Sequence, residues 1–366
     1  MARENTGVMG LAKETTYDTA VSPAHIFYCT EARHSNAVDG FDEAETANGS
    51  AFSTGLTGMA DMTRLNIRSV GHDEALAGLA ATALGSDTVT TPASATAARQ
   101  HKIVPMAVSS ELASYTIQAS VTTKSETTIR KATRYSGGIC NSFTMGSSVR
   151  DKPLRIAAEY AVSGTQAAGV TLASASIPNY GPFKHNNVYC FIGTAFVPGS
   201  LNLPVHTGTA EAPSGVEVTG AVDWSKYIRG YSLTVNNNVD QESGHSGSTG
   251  LVATSMFIGR PTISLSLTLR FAEGDTDMLA LVDGDKSWTR TIGLYCWSNT
   301  FIEDVTTDYQ YAYSLFTPKV IQSGPVVWGS NSLGVREITV PFTAIDNLTQ
   351  NVVELYVWNK DATAWT

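Results

Sequence analysis

Residues 260–271 read Arg260-Pro261-Thr262-Ile263-Ser264-Leu265-Ser266-Leu267-Thr268-Leu269-Arg270-Phe271. Ile263, Leu265, Leu267, Leu269 and Phe271 are large and apolar, while Thr262, Ser264, Ser266 and Thr268 are small hydroxyls. Successive side chains on a strand point to opposite faces, so this alternation predicts a long antiparallel strand with one dry and one wet face. A helix would scatter the same residues around its circumference. The wet face carries hydroxyls where an exposed sheet face ordinarily carries Lys and Glu.

Two other stretches repeat the habit. In 112–121, Ala113, Tyr115, Ile117, Ala119 and Val121 alternate with Ser114, Thr116, Gln118 and Ser120. In 230–236, Tyr231, Leu233 and Val235 alternate with Ser232, Thr234 and Asn236. Three strands are thus expected to present a smooth, hydrated, weakly charged surface.

The composition narrows the function classes. Charged residues make up 16% of the 366, low against the usual quarter, and the net charge of −9 argues against a basic grip on nucleic acid. Cys29, Cys140, Cys190 and Cys296 lie far apart with no Cys-x-x-Cys, which indicates neither zinc nor a disulfide framework. Three of them sit in apolar strand-like runs, as buried reduced thiols of a cytosolic product do. The opening Met1-Ala2-Arg3-Glu4 leads into polar residues rather than an apolar signal core, and no run approaches the length of a membrane span.

Along the chain, residues 1–24 read as an extended N-terminal arm closed by Pro23. The acidic, Gly- and Thr-rich loop 39–60 and the loop 236–250 suit segments that a neighbouring molecule orders. The clear helix is 73–84: Leu76, Leu79, Ala80, Ala83 and Leu84 share one face, Asp73 stands at its start, and Gly85 sits where a terminating glycine belongs. Strand patterns then fill 101–108, 112–123, 127–135, 137–145, 153–162 and 188–197. A second set follows at 225–238, 251–271, 291–303, 307–322, 334–346 and 350–359, with a short helix at 277–282. The reading is mainly β: an antiparallel sandwich or barrel with one short packed helix. It divides into the arm, a β-rich domain 25–197, a linker 198–220 and a second β-rich domain 221–366.

A faint echo links the halves. Tyr135-x-Gly137, Ser142-Phe143-Thr144-Met145 and Pro153 match Tyr227-x-x-Gly230, Ser232-Leu233-Thr234-Val235 and Pro261. Two tandem copies of one fold would leave such a trace; so would chance in so Ser/Thr-rich a chain.

Catalytic and cofactor motifs are not apparent. Gly244-His245-Ser246-Gly247-Ser248 resembles a nucleophile elbow, but its fifth residue is Ser248 and its flanks are loop rather than strand and helix. The acid pairs Glu303-Asp304, Asp275/Asp277 and Asp283/Asp285 read as solvated turns. The histidines show no metal-ligand spacing, and no phosphate-binding glycine loop occurs. The sequence supports no enzyme, and no cofactor is expected.

The run Gly10-Leu11-Ala12-Lys13-Glu14-Thr15-Thr16-Tyr17-x-Thr19-Ala20 and the run Gly230–Asn238 together resemble bacteriophage major tail tube proteins of the siphophage type. So do, in order, Leu84-Gly85, His101–Pro105, Tyr135–Thr144 and Arg260–Leu265. One departure is Asp18, where the family more often has glycine after the tyrosine. The resemblance implies β-sandwich units in stacked rings, forming a tube that carries DNA from capsid to host. It implies a virion-tail location after assembly in the host cytoplasm, with no membrane. The implied partners are further copies of the chain, six tube folds to a ring as a hexamer or as a trimer of duplicated chains. Others are a tape measure and a tail terminator, with DNA passing without specific binding. On that reading Ser114, Thr116, Gln118, Ser120, Ser232, Thr234, Asn236, Thr262, Ser264, Ser266 and Thr268 are the candidate lumen-facing residues, since a charge-neutral surface offers phosphates no grip. The competing class, a surface or secreted β-sandwich of lectin or adhesin type, predicts a signal sequence.

Overall fold

The computed structural model describes residues 6–23, 25–42, 56–92, 95–107, 110–122, 132–150, 153–163, 166–170, 182–196, 218, 220–243, 253–272, 274–284, 288–303, 309–330, 334–346 and 349–366. The loop cores 43–55 and 244–250, most of 198–220, and the 244–248 motif lie outside them. In chain order the first part forms β1 (Thr6–Lys13), β2 (His25–Cys29), β3 (Glu31–Asp42), β4 (Leu56–Val70), α1 (Asp73–Leu84), β5 (Gly85–Thr90), β6 (Arg99–Pro105), β7 (Tyr115–Thr122), β8 (Ala132–Ser148), β9 (Arg155–Ala161) and β10 (Gln166–Val170). The second part forms β11 (Val188–Gly193), β12 (Ala221–Asp223), β13 (Ile228–Asn236), β14 (Val239–Ser243), β15 (Ala253–Ile258), β16 (Thr262–Arg270), α2 (Thr276–Val282), β17 (Thr289–Glu303), β18 (Tyr309–Gln322), β19 (Val327–Ser330), β20 (Arg336–Ala344) and β21 (Glu354–Asn359).

Every described ladder is antiparallel, and the order of pairing repeats. The first unit runs β2–β1–β7–β8–β9–β4–β3. The second runs β12–β11–β17–β18–β20–β16–β13. In each unit a hairpin comes first, a longer hairpin follows, a helix comes next, and three later strands (β7, β8 and β9; β17, β18 and β20) insert between the two hairpins. The same order of pairing thus occurs twice along the chain, and the two units join where β8 pairs β13. The sheet branches but, among the described residues, never closes into a barrel.

This arrangement differs from the sequence expectations in several places. The segments 39–60 and 236–250, read as loops, carry the ends of β3 and β4 and the whole of β14, which pairs with β15. β1 is a paired strand between β2 and β7, not an extended arm. The repeat sets β11 and β12 in the second unit, whereas the composition-based division assigns β11 to the first. The echo noted in the sequence aligns β8 with β13 and β9 with β16, which are the adjoining hairpins at the joint, whereas the structural repeat aligns β3 with β13 and β4 with β16.

One hydrophobic core serves both units. Leu65, Ile67, Met145, Ile156, Leu233, Leu265, Leu267, Leu269, Val340 and Phe342 all point into it. Burying each such side chain contributes about 1.5–3 kcal/mol. The alternation of 262–271 is therefore realised: the odd residues of β16 are buried and the even ones face outward.

Helix α1 lies against β2, β5, β6, β8, β9, β18 and β21, and only Glu74 escapes full burial. The expected apolar stripe is too narrow a description, because Ala75, Ala77, Gly78 and Ala81 on the other faces are buried as well. Small residues allow this enclosure: a Cβ on Gly78 would stand 2.5 Å from the Trp365 ring. The helix ends as its sequence predicts, with Gly85 at φ 92° donating its N–H to the Ala81 carbonyl.

β21 ties the units together a second time, pairing with β18 on one side and β6 on the other. The four cysteines are buried and unpaired, and burial pushes the Cys29, Cys140 and Cys296 thiols up to about 12. Among the described residues no helix is long and apolar enough to cross a membrane.

Candidate functional site

The outer face of the joined sheets carries rows of small polar residues, each row crossing several strands in register. One row runs Arg68, Ala157, Thr144, Thr234, Ser264, Thr343 across β4, β9, β8, β13, β16 and β20. The row beside it runs Arg155, Gly146, Ser232, Ser266, Pro341. A third runs Asn66, Glu159, Ser142, Asn236, Thr262, and a fourth Ser148, Gly230, Thr268, Thr339. The surface passes from one unit to the other without a break, since β8 and β13 form a continuous ladder. Gly146 permits that close approach, because a Cβ there would stand 2.6 Å from the Tyr231 carbonyl oxygen of β13.

Hydroxyls on this face bond sideways to each other. Thr144 and Thr234 lie 3.4 Å apart, and Thr268 and Thr339 lie 3.1 Å apart. Each bond is individually weak and exchangeable with water. The middle of the second unit's share, Ser232 to Asn236 on β13, Thr262 to Thr268 on β16 and Thr339 to Thr343 on β20, is free of charge; at one end Arg270 stands opposite Glu337, and Arg229 and Arg336 lie there too. The first unit's share is less neutral. Arg64 pairs with Glu159, Glu159 also accepts from the Asn141 amide at 2.8 Å, and Arg68 lies 3.5 Å from Glu31.

Of the candidate residues, Ser232, Thr234, Asn236, Thr262, Ser264, Ser266 and Thr268 share this face and are all at least partly exposed. Ser114, Thr116 and Gln118 do not. All three are buried in the chain itself, so they are corrected from open-face to interior residues. The Thr116 hydroxyl donates to Glu14 at 2.8 Å and accepts from the Val21 N–H at 2.9 Å. The segment after β1 folds across β7 and covers its polar side. Ser120 pairs with Val8 in the β1–β7 ladder, and its side chain is outside the described residues.

That covering segment is clipped by two acids. Buried Glu14 accepts from the Gly137 N–H at 3.0 Å and the Asp18 N–H at 3.0 Å, besides Thr116. Asp18 adopts φ 58°, the left-handed region that glycine enters most easily, and its carboxylate accepts from Ser136 and Ser163 at 2.6 and 2.5 Å. Asp18 offsets the cost of that backbone conformation with these two hydrogen bonds.

Residues 142–148 of β8 belong to the face and were missed in the sequence reading. Their signal was present, since Ser142, Thr144, Gly146 and Ser148 alternate with Phe143, Met145 and Ser147. Among the described residues no His, Cys, Asp or Glu cluster could hold a metal ion.

A family model described as phage tail tube protein matches residues 4–294. No curated protein matches the chain.

Proposed function

The chain belongs to the phage tail tube protein family, and from that premise we propose that it polymerises into stacked rings whose channel delivers viral DNA. Its place is the virion tail, and its role is structural rather than catalytic. The observation that carries this reading is the hydroxyl row Thr144, Thr234, Ser264, Thr343, which runs unbroken across the joint from β8 of the first unit to β20 of the second. Such a surface hydrates passing phosphates without holding them, and the chain's net charge of −9 adds mild repulsion. In this reading Ser232, Thr234, Asn236, Thr262, Ser264, Ser266 and Thr268 line the channel, joined by Ser142 and Thr144.

The repeated topology favours a ring of three chains, which supplies six tube units. Partners are then neighbouring copies within and between rings, a tape measure inside the growing tube and a terminator at its end. DNA passes without base-specific contacts. Negative-stain electron microscopy of the purified protein tests the reading: rings or tubes are expected, and monodisperse single chains at high concentration would favour a surface binding module instead.

A further inference from the structure

The joint between the units contains its own instructions for a joint between chains. In the internal joint, the outer edge of β13 pairs with the C-terminal half of β8, Gly230 opposite Ser148 through Asn236 opposite Ser142. By the repeat, β3 is the first unit's counterpart of β13. The counterpart of β8's C-terminal half is β19, which continues β18 alongside β20 as β8 lies alongside β9. Among the described residues, the outer edges of β3 and β19 have no strand partner.

The β19 edge is also unusually apolar for a surface. All four of its residues are exposed, including Val327 at 61% and Trp328 at 50%. Trp328 packs edge-on against Phe271 at 5.1 Å and has no strand beyond it. Its place in the repeat explains the exposure. The row Ser69–Ile156–Met145 of the first unit corresponds to Leu269–Ile338–Trp328 of the second. Met145 is fully buried and stands opposite Leu233 of β13, whereas Trp328 has no such neighbour within the chain. An unpaired, apolar strand edge recruits another strand.

We propose that the edge of β19 at Val327 and Trp328 is the docking site for β3 of a second copy of this chain, in the antiparallel register of the internal joint. That register sets Trp328 opposite position 34, because His34 stands opposite Leu65 as Leu233 stands opposite Leu265. The contact is head-to-tail, so each copy offers one edge and uses the other, and the rotation per chain decides closure. The proposal rests on the tube reading only in expecting a ring.

Disulfide trapping in the full chain tests it, using the double variants Trp328→Cys/His34→Cys and Val327→Cys/Ser35→Cys. Adjacent positions in an antiparallel ladder alternate between pairs with Cα atoms about 5.5 and about 4.5 Å apart, both within the span of a disulfide, so the two variants sample both geometries. After mild oxidation, at least one double variant is expected to give intermolecular crosslinks ending at a covalent trimer on a non-reducing denaturing gel. Each single variant serves as control, and circular dichroism checks the fold. Rings without crosslinks from either pair would overturn the docking proposal alone. Crosslinks without rings would uphold the edge pairing and sink the tube reading. Neither rings nor crosslinks would sink both.

Discussion

Thr144 of β8 and Thr234 of β13 stand directly opposite one another, their hydroxyl oxygens 3.4 Å apart, inside the joint between the two units. Neither carries charge, and both belong to a row that continues to Ser264 and Thr343. This row makes the charge requirement testable. Thr144→Lys with Ser264→Lys sets two cations on alternate strands, about 10 Å apart. Tubes of this variant are expected to retain duplex DNA at low salt and release it as salt rises, because phosphate neutralisation multiplies along the tube. Wild-type tubes should retain none at either salt. Salt-independent behaviour of the variant would place this face away from the channel.

The dry side of the same strand is a stability test. Leu267 is fully buried between Tyr231 of β13 and Val340 of β20. Leu267→Asp is expected to abolish folding, since an unpaired buried carboxylate costs several kcal/mol against a total stability of about 5–15. Soluble, cooperatively melting variant protein would show that the assigned core face is wrong.

Glu14 serves three donors at once: the Thr116 hydroxyl and the N–H groups of Gly137 and Asp18. Glu14→Ala leaves them without that acceptor, at about 1–3 kcal/mol for each donor that water does not reach. A loss of about 3 kcal/mol in denaturant unfolding is expected, with faster hydrogen exchange in 14–21. An unchanged midpoint would mean that the segment over β7 is held by something else.

The helix start gives stability a pH dependence. Burial, with the Glu74 charge adding to it, pushes the Asp73 carboxyl up to about 8. Burial, with Asp361 adding and His25 opposing, pushes Glu74 up to about 7. An acid raised in the folded state is protonated there while the unfolded chain has already ionised, so stability falls as pH rises from about 4 to the raised values. His101 acts in the same direction. Its two ring nitrogens face Asp87 Oδ2 at 2.9 Å and the Asp361 carbonyl at 3.0 Å, both acceptors, so the arrangement needs the doubly protonated ring. Burial alone would lower this imidazole, but its hydrogen bond to Asp87 and that carboxylate's charge outweigh burial and raise it. Its stabilisation is full below the ordinary imidazole range and is lost as pH rises through the raised value. Melting temperature is therefore expected to fall between pH 5 and 8, with Asp73→Asn flattening the slope. An equal slope in the variant would remove Asp73 from the account.

Much of this fold was readable from alternation. β16, β13 and α1 occur where the sequence predicts, because their patterns are long and their breakers clear. β3 and β5 do not, since their polar stretches carry no clean period. The open face was half legible. Alternation separates two sides of a strand but says nothing of what packs on each, so β7 gave Thr116 and Gln118 the same standing as Thr234. Only the segment 14–21, folding back under Glu14 and Asp18, distinguishes them. The tandem repeat was hidden for a related reason. β3 and β13 share a place in the topology, not a motif, and the echo that the sequence does contain links neighbours across the joint.

Which surface faces the channel is read directly by a cryo-electron-microscopy reconstruction of the assembled tube. The expected map has three chains per ring, six tube units around the axis, and the row of Thr144, Thr234, Ser264 and Thr343 on the lumen wall. A map with that row on the outer wall, or buried between rings, would contradict it.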